Sequence, residues 1–198
     1  MPFSTDECWP RGLLNAFHVG RNQNMPFESR YYGPYSLLLH YALMDDFFNF
    51  VISLQTAPHE RSPRDAVDIT VYLLVLDREL NPVLFVEIND DSWAHGSNTR
   101  LAADGQMRQR YDQLLFQCPI PQLYGLSLLG TSLRIYCGEK ATNNLTPNFV
   151  DRPDPRRVLP PDFLEGEWDL DILSPDGLKK MQDIVEYVKV ESAKALGQ

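Results

Sequence analysis

Two acidic residues at the ends of consecutive β-forming runs are the side chains best suited to chemistry in this chain. Asp68 opens the run Ile69-Thr70-Val71-Tyr72-Leu73-Leu74-Val75-Leu76, and Glu87 lies near the end of the next, Val83-Leu84-Phe85-Val86-Glu87-Ile88. The connection Asp77-Arg78-Glu79-Leu80-Asn81-Pro82 is polar and rich in turn formers, so the two runs read as an antiparallel hairpin. Strand side chains alternate, which puts Phe85, Glu87 and Asn89 on one face and Val86 and Ile88 on the other. A carboxylate within an apolar strand must be solvated, paired or bound to a cation. Antiparallel pairing can bring Asp68 and Glu87 to one end of the sheet, where two carboxylates and a backbone carbonyl would suit Mg²⁺ or Mn²⁺. A metal ion there activates water and stabilises charge developing on a phosphodiester. The plainer alternative makes Asp68 a strand-start acid and Glu87 a salt-bridged edge residue, and spacing alone favours it.

These residues need elements to hold them. The first 27 residues are punctuated by Pro2, Pro10, Gly12, Gly20 and Pro26 and read as loop, with a short helix around Gly12–His18. Gly33-Pro34 suits a helix entry, and Leu37, Leu38, Tyr41, Ala42 and Phe48 predict an amphipathic helix from Tyr35 to Ile52. Glu28 lies just before it, equally readable as a solvated helix-start acid or a functional one. Residues 56–66 read as a polar loop leading to Asp68. After the hairpin and a loop over 91–99, Met107, Tyr111, Leu114 and Leu115 predict a helix from about Arg100 to Gln117. Gln106, Arg108, Gln109 and Arg110 fall on its other face, and Pro119 and Pro121 end it. Two more β-runs follow, Leu123–Leu129 and Leu133–Cys137, joined at Gly130-Thr131 by a tight turn. Residues 143–173 hold too many prolines for a helix or strand and too many apolar residues for a free linker. They read as an extended arm packed on the domain. Ser174-Pro175-Asp176 opens a last helix over 174–195, its tail from Glu191 expected to fray.

Composition sets the outer limits. The 198 residues suit a single domain, with a core over about 28–140, and 43% hydrophobic content is ordinary for a globular protein. A net charge of −9 disfavours nucleic acid as a partner, since a polyanion needs a basic patch or bound metal. Cys8, Cys118 and Cys137 are dispersed, with no pair spaced for structural zinc. The four histidines show no ligand spacing, and no Gly-rich phosphate cradle or nucleophile elbow occurs. Without a basic and apolar leader or a membrane-length apolar run, an intracellular protein, cytoplasmic or nuclear, is expected. Asn144-Leu145-Thr146 then reads as a polar loop. Trp93 is a packed residue before it is a base-stacking one, and Arg156-Arg157 a solvated pair.

A helix with Glu28 nearby, Asp68 at a strand, Glu87-x-Asn89 on the next, Gln106 on a helix and two further strands together resemble the PD-(D/E)XK nuclease-like superfamily. The resemblance covers about residues 28–137 and rests on short motifs. From Asp68 to Asp171, including Pro160-Pro161-Asp162-Phe163-Leu164-Glu165-Gly166-Glu167-Trp168, the chain is similar to uncharacterised fungal proteins grouped with that superfamily. The resemblance implies an α/β, restriction-endonuclease-like mixed central sheet flanked by helices. It implies Asp68 and Glu87 as ligands of Mg²⁺ or Mn²⁺, Glu28 as a further acid, and Gln106 directed at the site. It implies hydrolysis of phosphodiester bonds. The family's third motif position is a lysine, and here it is Asn89, which can orient a water but supplies no positive charge. Arg100, Arg108 or Arg110 would have to compensate. Otherwise the domain is a catalytically silent module for protein contact, with a homodimer as one form of it.

Overall fold

The computed structural model describes residues 2–22, 28–43, 49–58, 69–154 and 156–197. Its elements run α1 (Pro2–Thr5), α2 (Arg11–Arg21), α3 (Ser29–Leu43), β1 (Val51–Pro58), β2 (Ile69–Leu76), β3 (Pro82–Asn89), α4 (Ser97–Leu114), β4 (Gln122–Leu129), β5 (Ser132–Glu139), β6 (Asn144–Thr146), β7 (Leu170–Asp171) and α5 (Pro175–Ala195). Strands β1 to β6 form one sheet in sequence order, and β7 also pairs β5. Neighbours are antiparallel except β3 and β4, which run parallel around α4. The architecture is thus α/β, a mixed sheet with helices, as expected from the sequence. Among the described residues no helix is long and apolar enough to cross a membrane.

The β2–β3 hairpin forms as its residues predict. Asp77 organises the turn, its carboxylate accepting from the backbone N–H groups of Glu79 and Asn81 at 2.9 and 2.8 Å. All eight residues of β3 are buried, which fits a strand covered on both faces. Phe85 and Tyr111 of α4 meet edge-on with centroids 5.0 Å apart. Gly125, opposite Phe85 on β4, makes room for this: a Cβ there would stand 2.5 Å from the Phe85 ring and 2.7 Å from Met107. The opposite sheet face takes α5, where Leu178, Met181, Ile184, Val185 and Val188 are buried.

Several expectations are corrected. The helix expected over Tyr35–Ile52 runs from Ser29 to Leu43, and Ile52 belongs to β1. Pro34 is inside it, not at its entry. Proline leaves the Arg30 carbonyl without its intrahelical donor, and α2 packs there at Gly20, where a Cβ would lie 2.8 Å from that oxygen. Residues 56–58 end a strand and are not loop; Phe48 and residues 59–66 lie outside the described residues. Asn144–Thr146, expected as loop, pairs with β5. The first helix extends to Arg21, α4 begins at Ser97, and α5 continues through Glu191 to Ala195. Ser174 does cap α5, accepting from the Gly177 N–H at 3.0 Å.

Between β7 and residue 147 the described chain forms turns without a helix or strand. Four of its apolar residues face inward, Leu159, Phe163, Leu164 and Trp168 packing with Ala103 and Leu129, against which Trp93 also rests, while Val150 and Val158 are exposed. Phe149 stays half-exposed, and Arg156 and Arg157 are exposed. The Arg100 guanidinium fastens the segment, donating to the carbonyls of Phe163 (2.9 Å), Pro161 (2.6 Å) and Ala94 (2.6 Å).

At the β4–β5 turn, Gly130 has φ of +65°, and a Cβ there would lie 1.8 Å from Asp91 Oδ1. Asp91 in turn accepts from Tyr31 and Arg30 of α3, each at 2.5 Å. Gly130→Ala is expected to cost about 2 kcal/mol or more, through left-handed strain and displacement of Asp91. Urea denaturation of wild type and variant measures it, and a loss below a few tenths would contradict this account.

Candidate functional site

The register places a polar row across the centre of the sheet. Tyr72 of β2 pairs with Glu87 of β3, Glu87 with Ser127 of β4, and Ser127 with Arg134 of β5. Strand pleating sends all four side chains to the face covered by α4. Glu87 has no exposed surface, and an ionised carboxylate there requires a cation. Arg110 supplies it: its Nε donates to Glu87 Oε1 at 2.8 Å, its guanidinium lies 4.5 Å from the Tyr72 ring centroid, and Nη1 donates to Gln113. Arg110 is itself buried. Glu87 Oε2 is buried without a hydrogen-bond partner among the described residues.

Burial pushes the Glu87 carboxyl up from 4.5 to about 7, against the field and hydrogen bond of Arg110, and the charge of Glu28 raises it further. Glu28 precedes α3 and accepts from the Tyr32 hydroxyl at 2.9 Å. Burial, then Glu28, holds the Tyr32 hydroxyl well above its ordinary value, with a smaller contribution from Glu87. Glu28, Tyr32, Tyr72, Glu87 and Arg110 therefore form one electrostatic neighbourhood.

One step along β3, Asn89 donates to Gln106 Oε1 at 3.2 Å, with both residues buried. Gln106 thus turns toward β3. Asp68 lies outside the described residues. The β2 residue facing Glu87 is Tyr72, and Ile69, where β2 begins, is three residues or roughly 10 Å further along the strand. Of the three arginines considered for compensation, only Arg110 reaches Glu87; Arg100 holds the 147–169 segment, and Arg108 pairs with Asp104 at 2.7 Å. The polar face of α4 is partly buried, with Gln106 and Arg110 both turned to the sheet.

A second buried cluster was not foreseen. Asp104 of α4 accepts from Arg108, Arg134 and the Tyr136 hydroxyl, the last at 2.8 Å. Arg134 also reaches Glu167 at 2.9 Å and lies 5.1 Å from the Trp168 ring, whose Nε1 donates to Ser127 Oγ. The only advance signal was charge inside apolar runs: Arg134 in a β-run, Asp104 and Arg110 in a helix. Among the described residues no group of three His, Cys, Asp or Glu side chains converges as a metal site. A cavity of about 320 Å³ is lined by Pro153, Asp154, Arg157, Val158, Leu159 and Pro160, and Glu87, Asn89 and Gln106 do not border it.

Comparison with family models, curated proteins and solved structures finds no match to this chain.

The raised Glu87 value has a stability consequence with an unusual sign. Between about 4.5 and about 7 the folded chain holds this proton while the unfolded chain has released it. Stability from this group is complete below that window and is lost as pH rises through it. Glu87→Gln removes the titration. Relative to the variant, wild type should lose on the order of 3 kcal/mol between the two ends of the window. Chemical denaturation of both proteins across that range checks it, and parallel stability curves would refute it.

Proposed function

We propose that the chain is a PD-(D/E)XK-type domain, restriction-endonuclease-like in fold, that no longer hydrolyses phosphodiesters and acts by protein contact. The mixed sheet flanked by helices supports the fold, together with the order of α3, the β2–β3 hairpin, α4 and β4. One observation carries the functional reading: Glu87 has no exposed surface and is held at 2.8 Å by a buried arginine. A hydrolytic carboxylate must reach a metal ion and a water beside the substrate phosphate. Here its charge is already matched, and Asn89 and Gln106 satisfy each other.

A second reading, a divergent Mg²⁺- or Mn²⁺-dependent nuclease, draws on one specific feature. Glu87 Oε2 is unpartnered and Glu28 acts on the same carboxyl, so a divalent cation would relieve both. In that reading Asp68 and Glu87 hold the ion, Asn89 orients water, and Gln106 and Glu28 complete the site. Incubation of single- and double-stranded DNA and RNA with Mg²⁺ or Mn²⁺ separates the two. The silent module gives wild type and Glu87→Gln the same background; cleavage that needs both the metal and Glu87 establishes the nuclease.

For contact, the best-supported surface is the free edge of β1, and the occupant we favour is a second copy. Among the described strands β1 pairs only with β2. Its sequence, Val-Ile-Ser-Leu-Gln-Thr-Ala-Pro, has no charged residue, and Val51 and Leu54 are 47% and 54% exposed. Edge strands that remain single are usually guarded by charge, and two chains of net charge −9 meet with least repulsion along an uncharged strand. Light scattering should find a dimer that Leu54→Lys converts to monomer; a monomeric wild type rejects self-pairing.

A further inference from the structure

Arg110 does more than neutralise a buried acid. Its guanidinium is fixed from three sides: Nε on Glu87 Oε1, the plane against the Tyr72 ring, and Nη1 on Gln113. Arginine does not give up its proton in proteins, so this cation is permanent. It stands on the one carboxylate of the motif strand that is completely enclosed. Among the described residues the other oxygen, Oε2, has no donor. An arginine placed only to satisfy Glu87 would gain most by a two-pronged grip on both oxygens; the observed grip reaches Oε1 alone. The acid of the same neighbourhood, Glu28, is held by Tyr32 and acts on Glu87 through space.

We propose that the Arg110 guanidinium stands in for a divalent cation at Glu87, keeping the carboxylate closed to metal ions, so that removing it opens a cation site. This rests on the silent-module reading and adds the device that silences it. Metal and guanidinium cannot both be Glu87's close counter-charge without repelling each other. The wild-type chain is therefore indifferent to divalent ions at this position, and the site's cation is carried on α4.

Thermal melting of the full chain, followed by circular dichroism in mildly alkaline buffer, tests this without reference to cleavage. Each protein is compared in chelator, in millimolar MnCl₂, and in NaCl of matched ionic strength. Wild type should melt at the same temperature in MnCl₂ as in matched NaCl. Arg110→Gln should melt several degrees lower in chelator and recover at least half of that loss in MnCl₂, and the double variant E87Q/R110Q should recover none. If Arg110→Gln is unfolded in chelator, regaining the folded spectrum in MnCl₂ counts as the same recovery. Arg110→Lys, which keeps a cation, should fold and stay insensitive to Mn²⁺. The proposal is overturned if Arg110→Gln gains nothing from MnCl₂, or if wild type or Arg110→Lys gains as much as it does. Failure of the silent-module reading shows separately, as Glu87-dependent cleavage by the wild-type chain.

Discussion

A carboxylate placed at the centre of a sheet with no exposed surface has to be compensated, and Glu87 imposes that requirement on the whole domain. Taking one ion out of water without a partner costs several kcal/mol, on the order of a small domain's entire stability. Arg110 must therefore reach β3, which sets both the height and the rotation of α4. Asp104 lies six residues earlier on α4 and meets Arg134 of β5 at 3.1 Å. A helix turned by one residue would strand both charges at once. Two buried ion pairs at opposite signs thus specify one docking of α4, the use for which buried ionic groups are best suited.

The remaining parts of the chain attach to that arrangement. Residues 147–169 are held where Arg100 takes the Pro161 and Phe163 carbonyls, where Arg108 donates to the Pro147 carbonyl, and where Trp168 covers Arg134 and Ser127. From the other side, α3 reaches the sheet end through Tyr31 and Arg30 on Asp91 and through the Tyr35 hydroxyl on the Gly130 carbonyl at 2.6 Å. Trp9 ties the N-terminal region to the C-terminal one by donating to the Ile172 carbonyl at 2.9 Å.

The same interaction shapes the chemistry open to the motif strand. Glu87 needs a cation and has one; Asn89 needs a donor–acceptor partner and has Gln106. Asn89 carries no charge that would compete with Arg110 for Glu87. Among the described residues Glu87 Oε2 stays without a hydrogen-bond partner, beside the field of Glu28.

Much of this was legible in the chain itself, because local chemistry sufficed. The β2–β3 hairpin follows from two β-branched runs around a polar turn, the Gly130-Thr131 turn from glycine's access to positive φ, and the start of α5 from Ser174-Pro175. The class of the fold followed from the order of those elements. The amphipathic pattern misled where burial was two-sided. Pro34 looked like a helix entry, whereas α3 already begins at Ser29, and β1 was hidden by a short, weakly alternating sequence next to an apolar helix. Long-range register, which no local pattern encodes, decided the rest: that Tyr72 faces Glu87, that Ser127 and Arg134 continue the row, and that Arg110 and Asp104 descend onto it. The sequence by itself determined which residue types were available for chemistry. Only the tertiary structure decided that Glu87's counter-charge is an arginine of its own chain, because buried charges are matched across elements distant in sequence.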